Sequence, residues 1–376
     1  MKKILLFSRD PGGANTVIPL CKPLKDAGYE VFLFGKDVAL EKYLENGLND
    51  ASDIMDCIKD INPAQIQEFV AKFAPDLIVT GTSGDDFCEK YIWKAAKSLQ
   101  IPSIAILDQW VNYGIRFSKY SVCDLDKYQK DKIFDYLPDR IFLMDGFAKE
   151  EAIKEGLPED SLVVTGQPYF QTIQDRAEKI ETKKIAAIRE SYGVKKGDML
   201  VTFASENITE LYSDPISLVG YSELSILNHL LKSLQGCNND RDKKVICVVR
   251  PHPKEGLEKY KNLKDSKLPN GTILIIDKSH SSQEVILSSD LVCGMSSMFL
   301  LESVLLKKPT LSIQIGLKKE NPFILDRAGI LRSVLTSDEL LKSIDFKVNR
   351  QYNKGVEFSV IEGPVKNIMS EIKKFV

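Results

Sequence analysis

SSDLVCGMSSMFLLESVLLKKP, residues Ser288–Pro309, is the stretch whose reading decides the fold. Asp290–Met295 is a short apolar run of strand length. Ser296-Ser297 follows, and Met298–Leu306 then carries apolar residues at helical spacing until Pro309 stops the pattern. A strand that turns through glycine and two serines into a helix leaves free backbone N–H groups at the helix start. Those groups, with the helix dipole, favour a phosphate. Serine is also a favoured helix cap, so the ligand reading of Ser296 and Ser297 depends on what surrounds them.

Working outward, the second half of the chain alternates strand and helix. Met199–Ala204 reads as a strand with Ser205-Glu206-Asn207 at its end, and Tyr221–Leu234 as a long helix. Lys244–Val249 is a strand that delivers RPHPKE, Arg250–Glu255. Thr272–Ile276 is a strand followed by DKSHSS, Asp277–Ser282. Ser281 with Glu284 fits a capping box that starts a helix over Ser282–Ser288. Thr310–Ile313 is a further strand.

The first half has the same alternation. The apolar strand Lys3–Ser8 runs into PGGAN, Pro11–Asn15, then a helical pattern to Ala27, Gly28, and the strand Tyr29–Phe34. This is a βαβ unit of the nucleotide-binding kind. Its glycines do not form G-x-G-x-x-G, so no dinucleotide site is claimed; Gly12 and Gly13 allow close backbone approach to a ligand or serve a tight turn. Strands at Leu77–Thr80 and Ser103–Leu107 follow. Open parallel sheets bind ligands at the carboxyl ends of their strands, and Asp10, Asp85, Asp86 and Asp108 fall at such ends.

At 376 residues the chain is long enough for two domains. The expected division is an N-terminal domain over 1–170, a linker helix over 171–197, a second domain over 198–360 and a terminal helix over 361–376. A net charge of −2 points away from a nucleic-acid partner. The 7 cysteines have no C-x-x-C pair and read as reduced thiols of a cytoplasmic protein, not as a zinc site or disulfide framework. MKKILLFSRD resembles a leader at first, but Arg9-Asp10 ends its short apolar run, so it reads as a buried strand. No run approaches the ~20 apolar residues of a membrane span; peripheral contact with the inner membrane face stays open.

In an extended RPHPKE segment, Arg250, His252 and Lys254 share a face, with Pro251 and Pro253 stiffening the backbone. Three cationic or cationisable groups on one stiff edge suit a diphosphate or a carboxylate. Glu302 lies in the helix after the serine pair, where a carboxylate can accept both hydroxyls of a ribose. Ser205 and Glu206 at a strand end, and His280 before the capped helix, complete the candidate donor-binding set; a surface loop explains His280 equally well. A hydroxyl proton would go to a carboxylate base, Asp10 first, with Asp85, Asp86 and Asp108 as alternates and His252 beside the phosphate. Asp124-x-Asp126 has the form of a metal-holding pair but lies among tyrosines and lysines, so no metal or other cofactor is expected.

The order of these motifs resembles the GT-B superfamily of nucleotide-sugar enzymes. VVTGQPYF resembles the TGxP segment that closes the N-terminal domain of that group. RPHPKE resembles the HP motif, and GMSSMFLLESVLLKKP the serine-pair motif, of bacterial sialyltransferases, polysialyltransferases and CDP-glycerol transferases. The spacing from Glu302 to Lys308-Pro309 resembles the ribose-binding pattern of UDP-GlcNAc 2-epimerases. The resemblance implies an α/β chain of GT-B type, two Rossmann-like domains whose parallel sheets face an interdomain cleft. It further implies that His252, Ser296 and Ser297 hold the donor phosphate and that Glu302 holds the ribose.

WVNYGIR, Trp110–Arg116, departs from the His-x-Glu-Ala-Gly-Leu-Arg segment of the epimerases by placing Asn112 where they have an acid. That departure argues against epimerisation. The expected function is therefore a glycosyltransferase moving a sugar from a CMP- or UDP-linked donor to a glycan or lipid-linked acceptor hydroxyl. The alternatives are a UDP-GlcNAc 2-epimerase-like enzyme or nucleotide-sugar hydrolase, a CDP-glycerol-type polyol-phosphate transferase, and a non-catalytic nucleotide-binding protein.

Overall fold

The first strand forms as its apolar run requires. In the computed structural model, which describes residues 1–236, 244–252, 255–261, 272–344 and 361–376, β1 (Lys3–Ser8) is buried at every position after Lys3. Burial on both faces is what a central parallel strand demands, and it explains a continuous apolar run without alternation. Pro11 then sits at the first turn of the helix Pro11–Asp26, where its missing N–H costs nothing.

The chain divides into two compact units. The first is Met1–Thr172 together with the C-terminal tail through Val376; the second begins at Ile173. Unit one carries a parallel sheet of β1, β2 (Glu30–Gly35), β3 (Ser52–Asp53), β4 (Leu77–Thr80), β5 (Ser103–Ile106), β6 (Arg140–Leu143) and β7 (Leu162–Val164), in the order β3-β2-β1-β4-β5-β6-β7. Helices cover both faces. One core joins Ile4, Leu6, Val17 and Leu20 to Ile368 and Ile372 of the terminal helix Pro364–Ile372, which therefore belongs to this unit. The other core packs Phe34, Phe69 and Ile92 beneath Leu5 and Phe7.

Unit two repeats the plan with five parallel strands. They are β8 (Met199–Ala204), β9 (Val245–Arg250), β10 (Ile273–Ile276), β11 (Leu291–Gly294) and β12 (Thr310–Ser312), in the order β10-β9-β8-β11-β12. Both units are thus doubly wound, Rossmann-like α/β layers. In each, strand order reverses beside the first strand: between β1 and β4, and between β8 and β11. Such reversals open a crevice at the carboxyl ends of the two strands.

Local signals hold where they were strong. Ser281 accepts from the Glu284 amide and Glu284 reaches back to the Ser281 amide, the full capping box that starts Ser282–Ser288. The linker helix expected over 171–197 differs: two helices, Pro168–Glu178 and Thr182–Ser191, cover the segment, because Glu181 turns to an extended backbone and ends the pattern between them. Among the described residues, no helix is long and apolar enough to cross a membrane.

Candidate functional site

The reversal in unit two brings the end of β8 against the end of β11. Beyond β8 stand Ser205 and Glu206; beyond β11 stand Ser296 and Ser297, which open the helix Met298–Leu305. A cavity of about 620 Å³ lies there, bordered by Ser205, Glu206, Arg250, His252, Ser297 and Glu302 among others. Six of the sequence-derived candidates therefore share one hollow.

The helix start carries an anion already. Glu206 accepts the Ser296 backbone N–H at 2.5 Å and the Ser296 hydroxyl at 3.0 Å, and the amides of Ser297 and Met295 also serve its carboxylate. Burial raises the Glu206 carboxyl above its ordinary value, and these hydrogen bonds oppose that rise. The Ser297 hydroxyl is buried without a hydrogen-bond partner.

Arg250 ends β9 and donates to the Asp277 carbonyl at 3.3 Å and its carboxylate at 3.4 Å. This fixes the guanidinium at the cavity edge. Burial alone would raise the Asp277 carboxyl, but hydrogen bonds from Ser279, Tyr192 and His280 hold it below its usual value. His252 is set by its backbone N–H, which donates to Glu255 at 2.7 Å. Glu302, only 7% exposed, accepts from the Gln283 side chain at 3.1 Å. Lys308, from the same motif, donates to the carbonyls of Leu287 and Ser289 at 2.6 and 3.0 Å and so closes the end of the Ser282–Ser288 helix. His280 is not on the cavity wall; its ring nitrogen meets the Tyr192 hydroxyl at 3.1 Å and the Asp277 carboxylate at 3.3 Å. Lys254 lies outside the described residues.

Unit one holds the remaining candidates at its own reversal. Asp10 pairs with Arg9 at 2.6 Å. Asp85 is exposed, while Asp86 pairs with Lys36 at 2.9 Å and accepts the Cys88 amide. Asp108 is buried, bound to Arg116 at 3.0 Å, and burial pushes its carboxyl upward against the pull of that guanidinium. Its Oδ2 fills the space beside Gly12: a Cβ there would come within 1.7 Å of it. Gly13 backs onto Gly81, where a Cβ would lie 2.6 Å from the Gly13 Cα. The two glycines thus admit a side chain and a neighbouring turn of the protein itself. Asn112 has a left-handed backbone, φ 56°, and its carbonyl accepts from Arg116.

No family profile matches the chain, and no curated protein matches it. Solved structures do. UDP-GlcNAc 2-epimerase from Neisseria meningitidis, bound to UDP-GlcNAc, matches over 100% of both chains with a TM-score of 0.71 at 16% identity. The Methanocaldococcus jannaschii enzyme matches over 100% of both chains at 0.67 and 14%. Anabaena HepE, in complex with UDP and glucose, matches over 100% of this chain and 95% of its own at 0.57 and 15%. The fold is the GT-B-like fold of the UDP-GlcNAc 2-epimerases.

That result corrects the expectation of a glycosyltransferase serving an acceptor hydroxyl. The matching structures include UDP-GlcNAc 2-epimerases from several organisms, and they favour the epimerase-like alternative over the transferase. The physical reason is that the HP and serine-pair motifs read only as groups that could hold a nucleotide diphosphate. They carry no information on what happens to the sugar afterwards.

Sequence reasoning missed Lys278, which borders the cavity and donates to the Glu255 carbonyl at 3.1 Å. It sits two residues from His280 in DKSHSS, the segment from which the sequence reading took His280. Also missed was an apolar wall of Ile208, Leu211 and Phe299. The short helix that supplies Ile208 and Leu211 (Ile208–Leu211) is too brief to show a period. The hollow thus pairs an apolar side with cations, backbone donors and the carboxylates of Glu206 and Glu302, the composition expected of a small-molecule site.

Proposed function

We propose that this chain is an enzyme acting on a UDP-linked N-acetylhexosamine, of the 2-epimerase type, that releases UDP from the sugar. The observation that carries the reading is the convergence on one cavity of the Ser296-Ser297 helix start, Arg250, His252 and Glu302. The similar structures bound to UDP-GlcNAc, or to UDP-GlcNAc and UDP, support it.

In this reading the serine amides, Arg250 and His252 take the diphosphate, and Glu302 takes the ribose hydroxyls. When the bond from C1 to the phosphate oxygen breaks, its electron pair goes onto UDP. Fixed N–H dipoles and a guanidinium stabilise that charge without reorganising. Water supplies the new oxygen and gives its proton to a general base. Asn112, standing where the epimerases have an acid, favours release over reversible inversion at C2.

The test is incubation with UDP-GlcNAc, followed by phosphorus and proton NMR in deuterated water. UDP with free hexosamine is the expected outcome. UDP-ManNAc with deuterium at C2 and no free UDP would transfer the assignment to reversible epimerisation. Nucleotide binding with no turnover of UDP-GlcNAc would remove the catalytic reading altogether.

A further inference from the structure

The cradle at the start of the Met298–Leu305 helix is occupied by a carboxylate of the chain itself. Glu206 and Ser296 are 90 residues apart, yet the reversal of strand order sets them at the same point. Glu206 takes the Ser296 N–H and hydroxyl, and the amides of Ser297 and Met295 are also turned to it. These are the donors that an N-terminal phosphate site would use. One hydroxyl at the same turn, Ser297 Oγ, is buried and unused.

We propose that Glu206 is an internal stand-in for the ligand phosphate, holding the cradle in its bound shape while empty and leaving it when a diphosphate arrives. The proposal rests on the nucleotide reading of this cavity. A carboxylate offers two oxygens and one negative charge, whereas the diphosphate of a nucleotide sugar offers four non-bridging oxygens and two charges, and free UDP more of both. The diphosphate also reaches Arg250 and His252 on the cavity edge, and the spare Ser297 hydroxyl gives a further phosphate oxygen a donor. A neutral or singly charged ligand has no such advantage. Glu206 therefore sets a threshold that selects for diphosphates, at the cost of a lower apparent affinity, because only the fraction of molecules with Glu206 displaced can bind.

The experiment is calorimetric titration of UDP, and separately of inorganic pyrophosphate, into the wild-type chain, Glu206→Gln and Glu206→Ala. Thermal melting first establishes that each variant is folded. The expected result is about tenfold tighter UDP binding to Glu206→Ala, with Glu206→Gln between the two. Equal or weaker binding to both folded variants overturns the proposal, since Glu206 would then be a brace that the site needs. Pyrophosphate that binds Glu206→Ala more tightly than wild type, with UDP binding to neither, keeps the stand-in and discards the uridine reading. Absence of both ligands from all three proteins discards the cradle itself.

Discussion

Glu255 accepts the backbone N–H of His252 at 2.7 Å while only 4% of its surface is exposed. The same carboxylate takes the Ser205 hydroxyl at 2.8 Å, the Tyr260 hydroxyl at 2.5 Å and the Lys259 ammonium at 2.7 Å. It ties the end of β9 to the end of β8 from beneath the cavity. A side chain of the RPHPKE motif thus anchors the backbone of His252.

Replacing Glu255 by alanine leaves Lys259 to Glu223 and Glu210 and strands the His252 amide. Breaking one partner of a buried charge cluster costs about 3–5 kcal/mol. Urea unfolding of Glu255→Ala should show a loss of that size, and UDP binding should weaken in protein that remains folded. Glu255→Gln, which keeps the shape and one acceptor, should lose less. Wild-type stability in Glu255→Ala would mean that this carboxylate holds nothing.

Gly12 and Asp108 form a second coupled pair. A methyl at position 12 would overlap Asp108 Oδ2, and Asp108 cannot retreat without leaving Arg116. Gly12→Ala should cost roughly 1–3 kcal/mol, as overpacking does. In an Asp108→Ala background much of that added cost should disappear. A double-mutant cycle on unfolding free energies measures the coupling; strict additivity would show that the contact is relieved some other way.

Apolar runs and capping signals made the sheet layers legible. Lys3–Ser8 and Val245–Arg250 are buried nearly end to end, and Ser281 with Glu284 cap a helix as their spacing requires. Contacts across the fold were not legible. No local pattern announces that Glu206 meets Ser296, that Gln283 holds Glu302, or that Asp108 fills the gap beside Gly12. Each depends on strand order, which periodicity does not encode. β3 is two residues long and too short for any period. The reaction was misread for a related reason: a phosphate-holding turn is common to enzymes that share a fold and differ in chemistry.

Glu89 gives a pH prediction. It is 1% exposed, one oxygen accepts the Arg9 amide, and the other has no partner. Burial first, then the nearby charges of Asp86 and Asp10, push its carboxyl from 4.5 to about 8. The folded chain therefore keeps this proton through a range in which the unfolded chain has lost it. The contribution is fully present below about pH 4.5 and fades as pH rises through about 8. Glu89→Gln, neutral at every pH, should match wild type near pH 4.5 and exceed it at pH 8. The difference should grow by up to about 1.4 kcal/mol per pH unit. Parallel stability curves for the two proteins would refute a buried, protonated Glu89.

Glu302 supplies the sharpest test of how the nucleotide is held. Its carboxylate is 7% exposed, borders the cavity, and is oriented by Gln283 at 3.1 Å. If it accepts both ribose hydroxyls, removing one from the ligand and removing the carboxylate from the protein disturb the same interaction. A hydrogen bond to a charged group contributes about 1.5–3 kcal/mol, or roughly ten- to a hundredfold in affinity. Wild type should therefore prefer UDP to 2′-deoxy-UDP by a factor in that range. Glu302→Ala should bind UDP more weakly and lose the preference, and Gln283→Ala, which removes one hydrogen bond to the carboxylate, should reduce it partway. Equal affinity of wild type for the two nucleotides would place the ribose elsewhere and leave Glu302 as a structural partner of Gln283.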